Sequence, residues 1–144
     1  MSNAEAAALV EALAEALVVA DRDGRIVVWN AAAERLFGWS ADDALDRTLD
    51  LIIPPKQRSR HWGGYRWAMA ARSSRYADDV LRVPALHRDG RRLSISFTVT
   101  LIRDEAEVTG VAGIIRDETE RWEELQRARR HVALLDRPTN VLPL

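Results

Sequence analysis

The clearest alternation of apolar and polar positions lies in Arg91–Arg103. Leucine, isoleucine, phenylalanine or valine occupies every second position there, and serine or threonine stands between them. The apolar positions are Leu93, Ile95, Phe97, Val99 and Leu101. A period of two predicts a β-strand that buries one face, as in an antiparallel sheet. Val108–Ile115 is apolar on both faces and therefore indicates a central strand of the same sheet.

Three further strands are predicted from shorter runs. Leu17–Ala20 and Arg25–Trp29 are separated by a tight turn that contains Gly24, so we expect them to form a hairpin. Tyr76–His87 contains Pro84, which has no backbone N–H to donate to a neighbouring strand. This run therefore predicts a strand at the edge of the sheet.

Two short helices follow the predicted hairpin, and each has a recognisable cap. Asn30 precedes a helix that begins at Ala31, and its side chain is suited to accept hydrogen bonds from the first turn. Gly38 supplies the left-handed residue that commonly ends such a helix. Ser40 is placed to cap the next helix, Ala41–Leu45.

Three longer helices are predicted elsewhere, over Ala4–Ala16, Pro54–Ala71 and Glu118–Leu135. Proline suits the first turn of the second helix, where its missing N–H has no consequence. Gly63 and Gly64 inside that helix cost about 1 kcal/mol each relative to alanine. Their presence indicates a bend, or a place where another group approaches the backbone closely.

Composition excludes several classes of function. The chain has 144 residues with 21 basic and 22 acidic side chains, so no strong net charge attracts nucleic acid or a membrane surface. It has no cysteine, which excludes a disulfide framework, a thiol nucleophile and a thiolate metal site. No apolar run is long enough to span a bilayer. We expect a cytoplasmic protein without nucleic-acid or membrane partners.

The segment Asp21–Trp39 reads DRDGRIVVWNAAAERLFGW and resembles the opening of a PAS domain, the sensory module of many bacterial signalling proteins. RDG at Arg88–Gly90 and RDETER at Arg116–Arg121 are similar to two further signatures of that family. The resemblance implies an α+β fold, in which a five-stranded antiparallel sheet carries helices on one face. It also implies an N-terminal flanking helix over residues 1–17, a PAS core over 18–117, and an exit helix with a tail over 118–144.

The resemblance further implies a ligand pocket between the sheet and the helices. In rhizobial oxygen-sensor kinases the long helix carries a haem-ligating histidine, and Arg58-Ser59-Arg60-His61 is similar to that run, with Tyr65 one place later than in the sensors. Haem b bound through His61 is therefore the favoured cofactor, and a flavin or another small ligand is the alternative. The cofactor-binding residues implied are His61, Trp62, Tyr65, Ile95, Phe97, Val99 and Ile114.

Other interpretations of the same residues stay open. His61 is also compatible with a histidine satisfied by a backbone carbonyl or a water molecule. Aromatic residues at helical spacing, such as Trp62 and Tyr65, are more often part of a core. The oxygen sensors place a gas-contacting arginine on the strand after the helix, whereas this chain has Leu81 there, with Arg82 adjacent and expected to face the other way.

Signalling is expected to leave the domain through its ends. Asp117 and Thr119 match the D-x-T junction between the last strand and the exit helix of PAS domains, although they also suit a plain helix start. Two leucine-rich stripes predict a homodimer: Leu9, Leu13 and Leu17 at the N-terminus, and Leu125, Ala128, Val132 and Leu135 on the exit helix.

Three functions fit this pattern. The first is a sensory module that binds a small ligand, cofactor or gas and acts on an output partner in trans or on a missing part of the chain. The second is a haem-dependent enzyme with oxidative chemistry at the iron. The third is a cofactor-free PAS module used for dimerisation.

Overall fold

Five antiparallel strands form one sheet in the order β2-β1-β5-β4-β3. The structure is a computed structural model and describes residues 1–71 and 79–135. The strands are β1 (Ala16–Asp21), β2 (Ile26–Trp29), β3 (Leu81–Leu86), β4 (Arg92–Asp104) and β5 (Glu107–Asp117). The five-stranded antiparallel sheet predicted from the sequence is confirmed. The first residues of the strand predicted over Tyr76–His87 and the predicted tail after Leu135 lie outside the described residues.

Five α-helices accompany the sheet in the part of the chain that the structure describes. They are α1 (Asn3–Ala12), α2 (Ala31–Phe37), α3 (Ala41–Ala44), α4 (Pro55–Ala71) and α5 (Thr119–Leu135), with a short 3-10 helix over Leu49–Leu51 before α4. Buried residues of α2, α3 and α4 pack against residues of the sheet. The helices α1 and α5 flank this core and have no buried residue.

The order of strands confirms two positions predicted from composition. β3, which contains Pro84, lies at one edge of the sheet, where a missing backbone donor is tolerated. β5 lies at the centre and pairs with β1 on one side and β4 on the other. The central position predicted for this strand is therefore confirmed.

Asn30 does more than cap α2. Its Oδ1 accepts hydrogen bonds from the backbone N–H groups of Ala33 and Leu17, both at 3.0 Å. Its Nδ2 donates to the carbonyls of Val10 and Glu15 at 3.0 and 3.1 Å. The side chain is almost fully buried, and these four bonds use its whole hydrogen-bonding capacity. One side chain therefore fastens the N-terminal segment to the start of α2.

The first helix is shorter than its alanine-rich sequence predicts. α1 ends at Ala12, Leu13 has an extended backbone, and Ala16 already pairs with Ile115 of β5. Sheet pairing and the bonds to Asn30 therefore override helix propensity after Ala12. The prediction that Leu9, Leu13 and Leu17 form one helical stripe is wrong, because Leu17 lies in β1.

The two glycines of the long helix have no structural partner. α4 continues through Gly63 and Gly64, and no described atom lies within 4 Å of a Cβ atom built on either residue. Both residues are exposed. Close packing against the described parts of the protein therefore does not explain them.

Candidate functional site

The face of the sheet that carries the helices is defined by the strand register. Phe97 of β4 pairs with Leu81 of β3 and Ile115 of β5, while Val99 pairs with Gly113. Residues at every second position along each strand share this face. It also carries Leu93, Ile95 and Leu101 of β4, Val83 and Ala85 of β3, and Val111 of β5. We call it the inner face.

Two separate apolar clusters cover the two ends of the inner face. One lies beneath α2 and α3 and includes Phe37, Ile95 and Ile115. The other lies beneath α4 and includes Tyr65 and Val108. The residues between them are only half-buried or are exposed: Leu81, Val83, Phe97, Val99 and Gly113. We call these five residues the open strip.

Gly113 widens the open strip. A Cβ atom built on this residue would meet its nearest neighbours at 3.8 to 3.9 Å, which is ordinary contact distance. Glycine is therefore not required here by close packing, and its missing side chain leaves space above the centre of the sheet. The strip is apolar and lies between the clusters beneath the helices, which is the place where the sequence predicts a ligand.

The strand residues predicted to line the pocket lie on two different faces of the sheet. Phe97 and Val99 belong to the open strip, and Ile95 lies in the adjoining cluster. Ile114 pairs with Leu17 and Thr98 on the opposite face of the sheet, where it is 44% exposed. The prediction for Ile114 is therefore wrong, because the alternation along β5 turns Gly113 inward and Ile114 outward.

Trp62 and Tyr65 attach α4 to the hairpin and to the 3-10 helix. The Tyr65 hydroxyl donates to the carbonyl of Asp21, at the end of β1. The Trp62 Nε1–H donates to Oδ1 of Asp50 at 2.7 Å, and the indole ring packs against Gly24. The two rings meet edge to face with centroids 5.4 Å apart. Both side chains thus have a packing role.

His61 lies beside these two rings. Its imidazole centroid is 4.6 Å from that of Trp62 and 5.8 Å from that of Tyr65. Its Nδ1 is buried and has no hydrogen-bond partner among the described residues. Buried polar atoms are nearly always paired, so this nitrogen is an exception that calls for a physical reason.

Burial also changes the protonation of His61. Desolvation lowers the pKa of its imidazole below the ordinary value of 6.5, and the nearby negative charge of Asp50 opposes this shift only in part. The ring is therefore neutral at neutral pH, and a neutral imidazole nitrogen is a good metal ligand.

The side chains around His61 suit a metal that is held in a cofactor better than a bare metal ion. The described residues hold no group of three or more histidine, aspartate and glutamate side chains that would bind a bare metal ion. Haem brings its own equatorial nitrogens, so a single protein histidine is enough to hold the iron. The half-buried imidazole and the apolar open strip fit haem in this respect.

β3, whose Leu81 and Val83 belong to the open strip, has an apolar side chain at the inward position where the resemblance implies a gas-contacting arginine. Leu81 is on the inner face and pairs with Phe97. Arg82 is exposed and pairs with Ser96, whose side chain lies on the opposite face. The expectation that Arg82 faces away is therefore confirmed.

The junction between β5 and α5 is held by hydrogen bonds to β4. The Asp117 carboxylate accepts from the Thr119 N–H at 2.9 Å, which is the predicted cap. The Thr119 hydroxyl oxygen accepts from the Ser94 N–H at 2.9 Å, and the Glu118 N–H donates to the Ser94 carbonyl at 2.7 Å. The first turn of α5 is thereby fixed to the sheet.

Two more contacts at this junction were not expected from the sequence. Glu118 accepts from the hydroxyl of the buried Ser96 at 3.1 Å. Arg116 forms an ion pair with Glu15, which precedes β1, and its Nε donates to that carboxylate at 2.7 Å. The N-terminal segment and the exit helix thus meet at the same end of the sheet. These partners are distant in sequence, so no local pattern indicates them.

Among the described residues, no helix is long and apolar enough to cross a membrane.

Comparison with known proteins agrees with the fold. Residues 4–117 match the sequence family described as the PAS fold. The sensor protein FixL of Bradyrhizobium diazoefficiens is 30% identical over 134 residues, which cover 88% of this chain and 26% of that protein. An uncharacterised protein of Azorhizobium caulinodans is 31% identical over 100 residues, covering 69% of this chain and 14% of the relative. The chain thus spans about a quarter or less of these relatives.

Solved structures show the same architecture. The PAS domain of a protein from Colwellia psychrerythraea superposes with a TM-score of 0.70 at 24% identity, covering 81% of this chain and 97% of that one. An RNA-binding light-oxygen-voltage receptor gives a TM-score of 0.70 at 25% identity, covering 91% of this chain and 37% of that one.

Proposed function

The chain belongs to the PAS family, and from that premise we propose that it is a sensory module that holds haem b between its open strip and α4, with His61 as the iron ligand. The observation that carries the proposal is the buried Nδ1 of His61. This nitrogen belongs to an imidazole kept neutral by desolvation, and it has no partner among the described residues.

The surroundings of His61 support a role as ligand rather than as a core residue. A neutral histidine that only fills space would still need a partner for a buried nitrogen, since leaving such a group unpaired costs about 1–3 kcal/mol. The open strip offers apolar surface that is only half-buried or is exposed, which suits a flat hydrophobic group. A flat hydrophobic cofactor that contains a metal ion would cover the open strip and would also give the buried nitrogen of His61 a partner.

Each residue of the site has a distinct task in this proposal. His61 holds the iron, while Trp62 and Tyr65 fix the position of its ring through their bonds to Asp50 and Asp21. Phe97 would contact the haem ring and exclude water from it. When bound, haem would supply an iron that can take a small gas molecule.

The inner-face position of Leu81 bears on which ligand the site prefers. An apolar side chain gives no hydrogen bond to a bound gas, and the polarity of the distal pocket governs gas binding to haem. We therefore propose a site with less discrimination in favour of oxygen than one that carries an arginine there. A flavin in the same cleft is the alternative cofactor.

The output of the module is proposed to pass through α5. The bonds of Glu118 and Thr119 connect the first turn of α5 to β4, the strand that carries Phe97 and Val99. A shift of β4 on ligand binding would thus move α5. The receiving partner is proposed to be another protein or a further part of a longer chain.

A second copy of the chain is the partner that the exit helix fits best. Large apolar residues of α5 are about half exposed or more: Trp122, Leu125, Val132, Leu134 and Leu135. Four positions along the helix follow the 3-4-3 spacing of a coiled-coil seam: Leu125, Ala128, Val132 and Leu135. We propose that two copies pair through their α5 helices. A movement of the junction between β5 and α5 would then be transmitted to the dimer.

An absorption spectrum tests the cofactor directly. Purified protein titrated with haem is expected to develop a saturable Soret band, which is expected to change when His61 is replaced. A flavin spectrum on purification would replace haem by flavin in the proposal. The absence of both would favour a PAS module that acts through dimerisation alone.

A further inference from the structure

A cavity of about 360 Å³ shares no residue with the open strip. It is lined by Trp39, Arg47, Thr48, Asp50, Leu51 and Arg58. The volume is within the range of small-molecule sites. The chemistry of the lining is unusual because most of its polar groups are hydrogen-bond donors without an acceptor.

Arg58 is a guanidinium held in a fixed position. Its Nε donates to the Ile53 carbonyl at 3.0 Å, and its Nη2 donates to the Asp50 carbonyl at 3.2 Å. The Nη1 group has no partner among the described residues. A cation whose orientation is already fixed loses little conformational freedom when it binds an anion.

Three further donors of the lining are also without acceptors in the described part of the chain. Arg47 stacks over the Trp39 ring at 5.3 Å and has no carboxylate within ion-pair distance. The Trp39 Nε1 is buried and has no hydrogen-bond partner. The Thr48 hydroxyl makes no bond to the helix that it precedes. A buried indole N–H without an acceptor is costly, and a bound acceptor would remove that cost.

The single acidic residue of the lining does not neutralise the positive charge of the two arginines. Asp50 receives the Trp62 Nε1–H on its Oδ1, and the same oxygen lies 3.9 Å from Arg58 Nε. Two arginines and one carboxylate leave the lining with a net positive charge. We propose that this cavity binds a small oxyanion, namely the carboxylate or phosphate group of a small molecule.

Nuclear magnetic resonance of the tryptophan indole N–H groups tests the site on the whole chain. The chain has five tryptophans, and the Trp39→Phe variant identifies the Trp39 signal by its loss. Inorganic phosphate and acetate are titrated separately at constant ionic strength, with chloride as the balancing anion. A saturable shift of the Trp39 signal is expected with at least one of them. Saturation by phosphate alone assigns a phosphate group, and saturation by acetate alone assigns a carboxylate.

Two arginine variants distinguish anion binding in the cavity from general electrostatic attraction of anions to the protein surface. Arg47 and Arg88 both stack on Trp39, but Arg88 lies 4.9 Å from the ring centre, pairs with Asp43 and does not line the cavity. Arg47→Gln should weaken anion binding about tenfold, whereas Arg88→Gln should leave it within about twofold. No saturable shift with either anion would overturn the proposal, and so would equal losses in the two variants.

Discussion

The indole ring of Trp62 occupies the space directly above Gly24, so that a Cβ atom on Gly24 would come within 2.2 Å of the ring. The contact joins the middle of α4 to the turn between β1 and β2. Together with the bond from Tyr65 to the Asp21 carbonyl, it fixes the helix against the hairpin. Since His61 is adjacent to Trp62, this contact also fixes the proposed iron ligand relative to the sheet.

Gly24→Ala is expected to destabilise the protein more than Gly90→Ala. Both glycines have a left-handed backbone, with φ of +80° and +89°, and alanine in that region costs about 1–2 kcal/mol. Only Gly24 has a neighbour within 4 Å among the described atoms, and that neighbour is Trp62. Denaturant unfolding measures the loss in the free energy of unfolding for each variant, and the difference between the two losses is the extra cost at Gly24.

A double-mutant cycle assigns that difference to Trp62. In a Trp62→Ala background, Gly24→Ala should cost no more than Gly90→Ala, because the clashing ring is gone. An unchanged cost of Gly24→Ala in that background would contradict the packing described for α4.

The burial of His61 predicts a pH-dependent stability. The folded imidazole has a pKa below 6.5, whereas the unfolded one titrates near 6.5, so the unfolded state binds more protons once the pH falls below that value. The free energy of unfolding should therefore fall between pH 6.5 and the lowered pKa, and His61 should contribute no slope above pH 6.5.

Urea unfolding at a series of pH values measures this slope. His61→Leu should remove the contribution of this histidine, while His131→Gln, a change at an exposed position of α5, should keep it. Equal pH dependence in wild type and His61→Leu would show that the imidazole is not desolvated.

Gly113→Val is expected to fill the open strip without harming the sheet. Valine suits a strand, and a Cβ atom at this position would meet its neighbours only at ordinary contact distance. Haem binding, followed by absorption, should weaken about tenfold or more, while the unfolding midpoint changes little. Gly63→Ala on α4 is the control, and it should leave binding intact because it lies at an exposed position. Unchanged binding in Gly113→Val would place the cofactor elsewhere.

Replacing an apolar residue of α5 by aspartate is expected to weaken the proposed dimer. Leu125→Asp or Val132→Asp places a charge in the seam, whereas Ala133→Asp adds the same charge beside it. Sedimentation over micromolar concentrations should show a dimer for wild type and Ala133→Asp, and a monomer for the two seam variants. A wild-type chain that is monomeric at about a hundred micromolar would refute the pairing.

Local patterns in the sequence predicted much of this fold. The alternation along β4 gave the face of Phe97 and Val99, and the caps at Asn30, Gly38 and Ser40 lie where their side-chain chemistry favours them. These features depend on neighbours a few residues away. For the same reason, the Asp117 cap was predictable from the chain around it.

The parts that were missed depend on contacts between distant segments. Helix propensity extended α1 beyond Ala12, but pairing with β5 and the bonds to Asn30 end it there. The double-sided apolar run of β5 did not reveal that Ile114 faces outward. The role of Asp50, which accepts from Trp62 and lies near His61, depends on how α4 is placed over the 3-10 helix.

The most direct test of the central claim is a haem titration of wild type and His61→Gly, followed at the Soret band with and without added imidazole. Wild type should bind haem saturably with the spectrum of a histidine-ligated iron. His61→Gly should lose that spectrum, and free imidazole entering the vacated position should restore it. A wild-type chain without saturable binding, or a His61→Gly variant with the wild-type spectrum in the absence of imidazole, would contradict the assignment of His61 as the ligand.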